Sequence, residues 1–118
     1  MLVNCLFLSV VRPVIAMRGP KKALEEGDSA HLTCYIIKGF PKPQLSIIKT
    51  EDPGEQTNVF KYGYLLFGKS KTTLVLPNIT ERVEGRYTCI AHNTGGNFTA
   101  SKHITVKSKM IIIIISIN

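Results

Sequence analysis

The 118-residue sequence predicts an all-β chain folded as an antiparallel sandwich of two sheets, and three observations carry that expectation. No long window keeps a 3.6-residue apolar period, which removes amphipathic helices as the main building block. Nine glycines and six prolines cut the chain into short segments. Two of these segments, around Cys34 and Cys89, alternate apolar and polar residues as half-buried strands do.

In chain order, strands are expected near 13–17 and 22–25, then at 29–37, 44–50, within 58–67, and at 71–77, 86–92 and 98–107. The stretch 50–58 holds Pro53-Gly54 and reads as a polar turn. In Ala30-His31-Leu32-Thr33-Cys34-Tyr35-Ile36 the even positions turn inward with Cys34. In Tyr87-Thr88-Cys89-Ile90-Ala91 the odd positions turn inward with Cys89. Two inward cysteines on two β-segments can meet across a sandwich core. Closing so long a loop would stabilise the fold by about 4 kcal/mol in the chain-entropy account. Cys5 is the odd cysteine and falls in the N-terminal segment, leaving an even count in the domain.

The length suits one domain, expected over residues 12–107. Residues 1–11 are apolar, and the preferred reading is a partial signal peptide with Val14-Ile15-Ala16 at its cleavage point. The alternative is that Pro13-Val14-Ile15 already opens the first strand. Residues 108–118 contain the run Met110-Ile111-Ile112-Ile113-Ile114-Ile115. As a helix, that short tail would span roughly half of a bilayer's hydrocarbon, so it is read as a truncated membrane segment or a strand extension. Membrane anchoring is left open.

Fifteen Lys+Arg against eight Asp+Glu give a net charge of +7. This favours acidic surfaces or sulfated glycans. The basic residues are spread, however, so a solvated surface is the preferred reading and weak glycosaminoglycan binding the secondary one. No nucleic-acid recognition signature accompanies the charge, and nucleic acid is not an expected partner. Two sequons, Asn78-Ile79-Thr80 and Asn97-Phe98-Thr99, together with the cysteine pair, point to glycosylation at Asn78 and Asn97 and to an extracellular location.

Six short elements in order resemble the immunoglobulin superfamily, of the intermediate or I-set type. They are Glu26-Gly27-Asp28-Ser29, then Leu32-Thr33-Cys34, then Gly39-Phe40-Pro41-Lys42-Pro43-Gln44-Leu45. Leu74-Val75-Leu76, Gly85-x-Tyr87-x-Cys89 and Cys89-x-Ala91-x-Asn93-x-x-Gly96 complete the series. The resemblance covers most of the chain and implies a Greek-key, immunoglobulin-like sandwich. It implies that Tyr87, entering its strand just after Gly85, is a tyrosine-corner residue whose hydroxyl bonds back to the preceding turn. Two positions depart from the family. Its core tryptophan falls at Ile47, which calls for repacking by Phe60 or Phe67. The acidic residue usual two positions before the glycine is Val83, which removes one side of a salt bridge.

The motifs of hydrolases, phosphate-binding loops, paired-cysteine metal sites and His-Glu-x-x-His sites are missing from the sequence, so a non-enzyme without cofactor is expected. His92 and His103 would lie on neighbouring strands, a poor metal pair without a carboxylate or thiolate. The expected activity is extracellular recognition of a protein partner, homophilic or heterophilic, as part of an adhesion molecule or receptor. The alternatives are a soluble decoy-type binder and an intracellular filament-type domain with reduced cysteines. With Leu45, Ile47, Cys89 and Ala91 inward, alternation puts Ser46, Ile48, Arg86, Thr88, Ile90 and His92 outward. Ile48 and Ile90 are expected close together at the centre of the candidate partner face.

Overall fold

A computed structural model describes residues 9–51 and 54–107. One sheet contains β1 (Val11–Arg18), β2 (Ala30–Phe40), β6 (Lys71–Leu76) and β5 (Tyr64–Phe67), in that spatial order. The other contains β4 (Glu55–Asn58), β3 (Gln44–Glu51), β7 (Gly85–Asn93) and β8 (Gly96–Ile104). Every ladder between these strands is antiparallel. A parallel bridge from Leu24 to Val106 ties the segment after β1 to the end of β8. No described helix is long and apolar enough to cross a membrane.

Alternation builds the core from both sheets. Leu32, Cys34, Leu74 and Leu76 face Ile47, Tyr87, Cys89 and Ala91, all buried. Cys34 and Cys89 are joined by a disulfide that crosses between the sheets. Ile47 is 5% exposed, so the smaller side chain at the tryptophan position is still fully used. The expected repacking by phenylalanines does not occur: Phe60 is 62% exposed and Phe67 is 75% exposed. Val59 is buried beside the core instead, and Tyr62 and Leu65 pack against it. The inward position of β5 goes to Leu65, and parity then turns Leu66 outward.

Two segments, 55–58 and 22–25, take a form other than the expected one. Residues 55–58, expected as turn, form β4 along the lower half of β3. The segment 22–25 contributes a single bridge rather than a strand. Residues 14–16 lie inside β1, with Ile15 buried, so the strand reading of Pro13-Val14-Ile15 describes them. The apolar residues 1–8 and 108–118 lie outside the described residues.

The chain crosses between sheets at 59–63, through the turn Val59–Lys61. That crossing closes one side of the sandwich near the lower ends of β3 and β5. Above it the same side is open.

Candidate functional site

The outer face of the β3–β7–β8 sheet is laid out by register. Thr50, Arg86 and His103 form one row, and Ile48, Thr88 and Ser101 the next. Ser46, Ile90 and Thr99 follow, then Gln44, His92 and Asn97. Ile48 and Ile90 therefore share the face, but on a diagonal, and both are half-buried rather than fully exposed. Diagonal neighbours on adjacent strands are typically ~7–8 Å apart, still within reach of long side chains. The rim consists mostly of hydroxyl and amide side chains, with Arg86, His92 and His103 toward its two ends. Thr88 Oγ1 and Ser101 Oγ are 2.9 Å apart, and His92 Nδ1 contacts Asn97 Oδ1. None of the outward positions named here is a carboxylate, in a chain that carries +7.

His92 and His103 do not come together. His92 pairs with Asn97 at the upper end and His103 with Arg86 at the lower end. Among the described residues no group of three or more metal-ligating side chains assembles.

Beneath this face the lower end of the core is closed by polar groups. Tyr87 is fully buried, and its hydroxyl donates to the Val83 carbonyl at 2.6 Å. This is the geometry a tyrosine corner needs. Burial pushes the Tyr87 phenol well above its ordinary range. Val83 itself is buried, so the position that lacks the family's acid contributes an apolar side chain and an accepting carbonyl.

Sequence reasoning missed Lys49, which points inward and is 2% exposed. Its Nζ pairs with Glu51 Oε1 at 2.8 Å and lies 4.6 Å from the centre of the Tyr62 ring. The Tyr62 hydroxyl donates to the same carboxylate, and Thr57 Oγ1 lies 3.4 Å from it. The Lys49 ammonium holds the Glu51 carboxyl below its usual value, chiefly through their hydrogen bond. The bond to Glu51 raises the Tyr62 phenol in turn. Gly85, at φ +150°, makes room for this lysine, because a Cβ there would stand 3.0 Å from Lys49 Cε.

Asn93 was also missed as a fastener. Its Nδ2 donates to the Val11 and Pro41 carbonyls at 2.8 and 3.0 Å, and its Oδ1 accepts from the Gly95 amide. The local signal was Asn93-Thr94-Gly95-Gly96, an asparagine that folds its side chain onto its own turn. The two sequon asparagines are exposed. Asn78 sits at φ +49° after β6, and Asn97 lies on the candidate face.

With these features in view, the family model described as "Immunoglobulin domain" matches residues 12–93. The chain belongs to the immunoglobulin superfamily. Bovine (Bos taurus) neural cell adhesion molecule 1 is 34% identical to this immunoglobulin domain over 83 residues, covering 70% of this chain and 9% of the relative. Chicken (Gallus gallus) smooth-muscle myosin light chain kinase is 29% identical over 86 residues, covering 73% of this chain and 4% of the relative. The chain thus spans under a tenth of the length of either. A solved chimeric titin Z1Z2 carrying an exogenous decorin peptide superposes with a TM-score of 0.68 at 24% identity, covering 80% of this chain and 93% of that one. That likeness concerns the fold. Together they describe a protein-interaction module.

Proposed function

We propose that this immunoglobulin domain is an extracellular recognition module of an adhesion molecule or receptor, and that it binds protein partners through the outer β3–β7–β8 face. One observation carries the choice of face: Ile48 and Ile90 sit within a rim of hydroxyl, amide and imidazole groups, with the cation Arg86 at its lower edge and no carboxylate. An apolar centre with a polar rim can be dried on contact while Arg86, at the exposed edge, stays hydrated. The inter-sheet disulfide, the exposed asparagines of both sequons and the neural adhesion relative support the extracellular setting.

The test is Ile48→Asp with Ile90→Asp, introduced together and read by bead self-association and by capture on cells. Loss of binding with a melting temperature within a few degrees of the parent supports the face. Binding that persists in the folded double variant transfers the site to the hairpin around residues 94–96. A glycan at Asn97 would stand on this same face, so removing that sequon with Thr99→Ala should strengthen binding.

A second reading, the intracellular filament-type domain, is favoured by the myosin light chain kinase relative. In secreting cells, an enzymatic deglycosylation shift and thiols that resist alkylation exclude it. No shift, with both thiols reactive in the native protein, excludes the extracellular reading instead. Shedding of the intact domain into medium would identify the soluble decoy-type alternative.

A further inference from the structure

β4 covers only part of its neighbour: it pairs with Ile48–Glu51 of β3 and stops at Asn58. Above that point, residues 44–47 pair with β7 on one side and with no described strand on the other. Backbone N–H and C=O groups of alternate residues there have no ladder partner among the described residues, which makes a free strand edge.

Across from this edge, in the opposite sheet, β5 ends at Phe67 and turns through Gly68-Lys69-Ser70 into β6. The turn is held by Gly68 N–H donating to Lys71 O at 2.8 Å and Ile36 N–H donating to Ser70 O at 2.9 Å. Between the two lies a cleft of about 510 Å³. Its floor is Ile36 and Leu45, its wall is Phe67, and Lys42 and Lys71 stand on its rim. No carboxylate lines it, and both lysines are exposed and make no ion pair among the described residues. Phe67 is the most exposed large apolar side chain among the described residues, at 75%.

We infer that this cleft binds an extended, acidic and apolar segment of a partner protein, added as a strand beside residues 44–47. Each feature of the site selects for that occupant. The free edge supplies main-chain hydrogen bonds, which an extended peptide satisfies and a sugar does not. The Ile36–Leu45–Phe67 surface takes apolar side chains from alternate positions of the added strand. Lys42 and Lys71 take carboxylates, and their charge is unopposed within the cleft. The site meets the outer face at Gln44 but not at its apolar centre, since Ile48 and Ile90 do not line it.

The experiment uses the full chain and a fluorescein-labelled, C-terminally amidated hexapeptide of alternating valine and glutamate, titrated by anisotropy at low and moderate salt. Companion probes are the matching valine–lysine hexapeptide and a heparin-derived hexasaccharide. Binding of the glutamate peptide is expected to weaken at least tenfold in Lys42→Glu with Lys71→Glu and also in Phe67→Ala. These are exposed positions whose change leaves the core intact. The Ile48→Asp, Ile90→Asp protein should retain the affinity. In amide exchange, alternate residues within 44–47 should slow in the complex. The inference is overturned if the glutamate peptide does not bind, if the lysine peptide binds as well, or if the double Lys→Glu variant keeps its affinity. It is equally overturned if the hexasaccharide displaces the peptide while the 44–47 amides exchange unchanged. The lysines would then be a glycan-binding surface.

Discussion

At Tyr87 a buried phenol and an orphan carbonyl satisfy each other, which is why the ring can sit at the bottom of the core with no route to water. Tyr87→Phe keeps the ring but strands the Val83 carbonyl, and should lower stability by about 1–3 kcal/mol in a denaturant titration. Glu51 makes a different demand. Its carboxyl is held below the ordinary value of 4.5 by the bond to Lys49, so folding favours the ionised form. That stabilisation is complete above about pH 4.5 and is lost as pH falls through the lowered native value. The melting temperature of Glu51→Gln should therefore fall less steeply than that of the parent between pH 5 and about pH 3. Equal slopes would show that the pair does not contribute. Gly85 belongs to the same cluster. Gly85→Ala faces both a positive φ and the Lys49 stem, and should destabilise by more than about 1 kcal/mol.

Elements differed in how much of themselves the sequence exposed. The strands carrying Cys34 and Cys89 were legible because alternation is a property of the pleated backbone itself, whatever the neighbours. β4 was not, because Glu55-Gln56-Thr57-Asn58 is wholly polar, with only Thr57 half-buried, and nothing alternates. In β5 the apolar run Tyr64-Leu65-Leu66-Phe67 is too short for its parity to be read, and burial of Leu65 decided it. The outer face was legible by parity alone, yet the diagonal offset of Ile48 and Ile90 was not. Register between strands far apart in sequence leaves no local trace. Lys49 occupied an inward position of its own alternation, and its partner Tyr62 comes from the sheet crossing, which no local pattern reports.

For the whole molecule the Cys34–Cys89 bridge is the main long-range constraint, since the two residues are 55 apart in sequence. Replacing both cysteines by alanine should cost about 4 kcal/mol in the chain-entropy account, read as a lower denaturation midpoint. A midpoint within experimental error of the parent would mean that the Ile47 core holds the sheets together unaided. The bridge has another consequence when the described chain is considered as a tether. Its path enters at the upper end, where Val11 lies opposite Phe40, and leaves at the lower end, where Lys107 N–H bonds to Leu24 O. Tension applied at residues 9 and 107 then runs along the strands. If the sheets part, the bridge keeps the span between its cysteines in a closed loop, withholding about 190 Å of contour. A single molecule pulled between those points should extend by that much more after reduction, so the thiol state sets the domain's maximum reach under load.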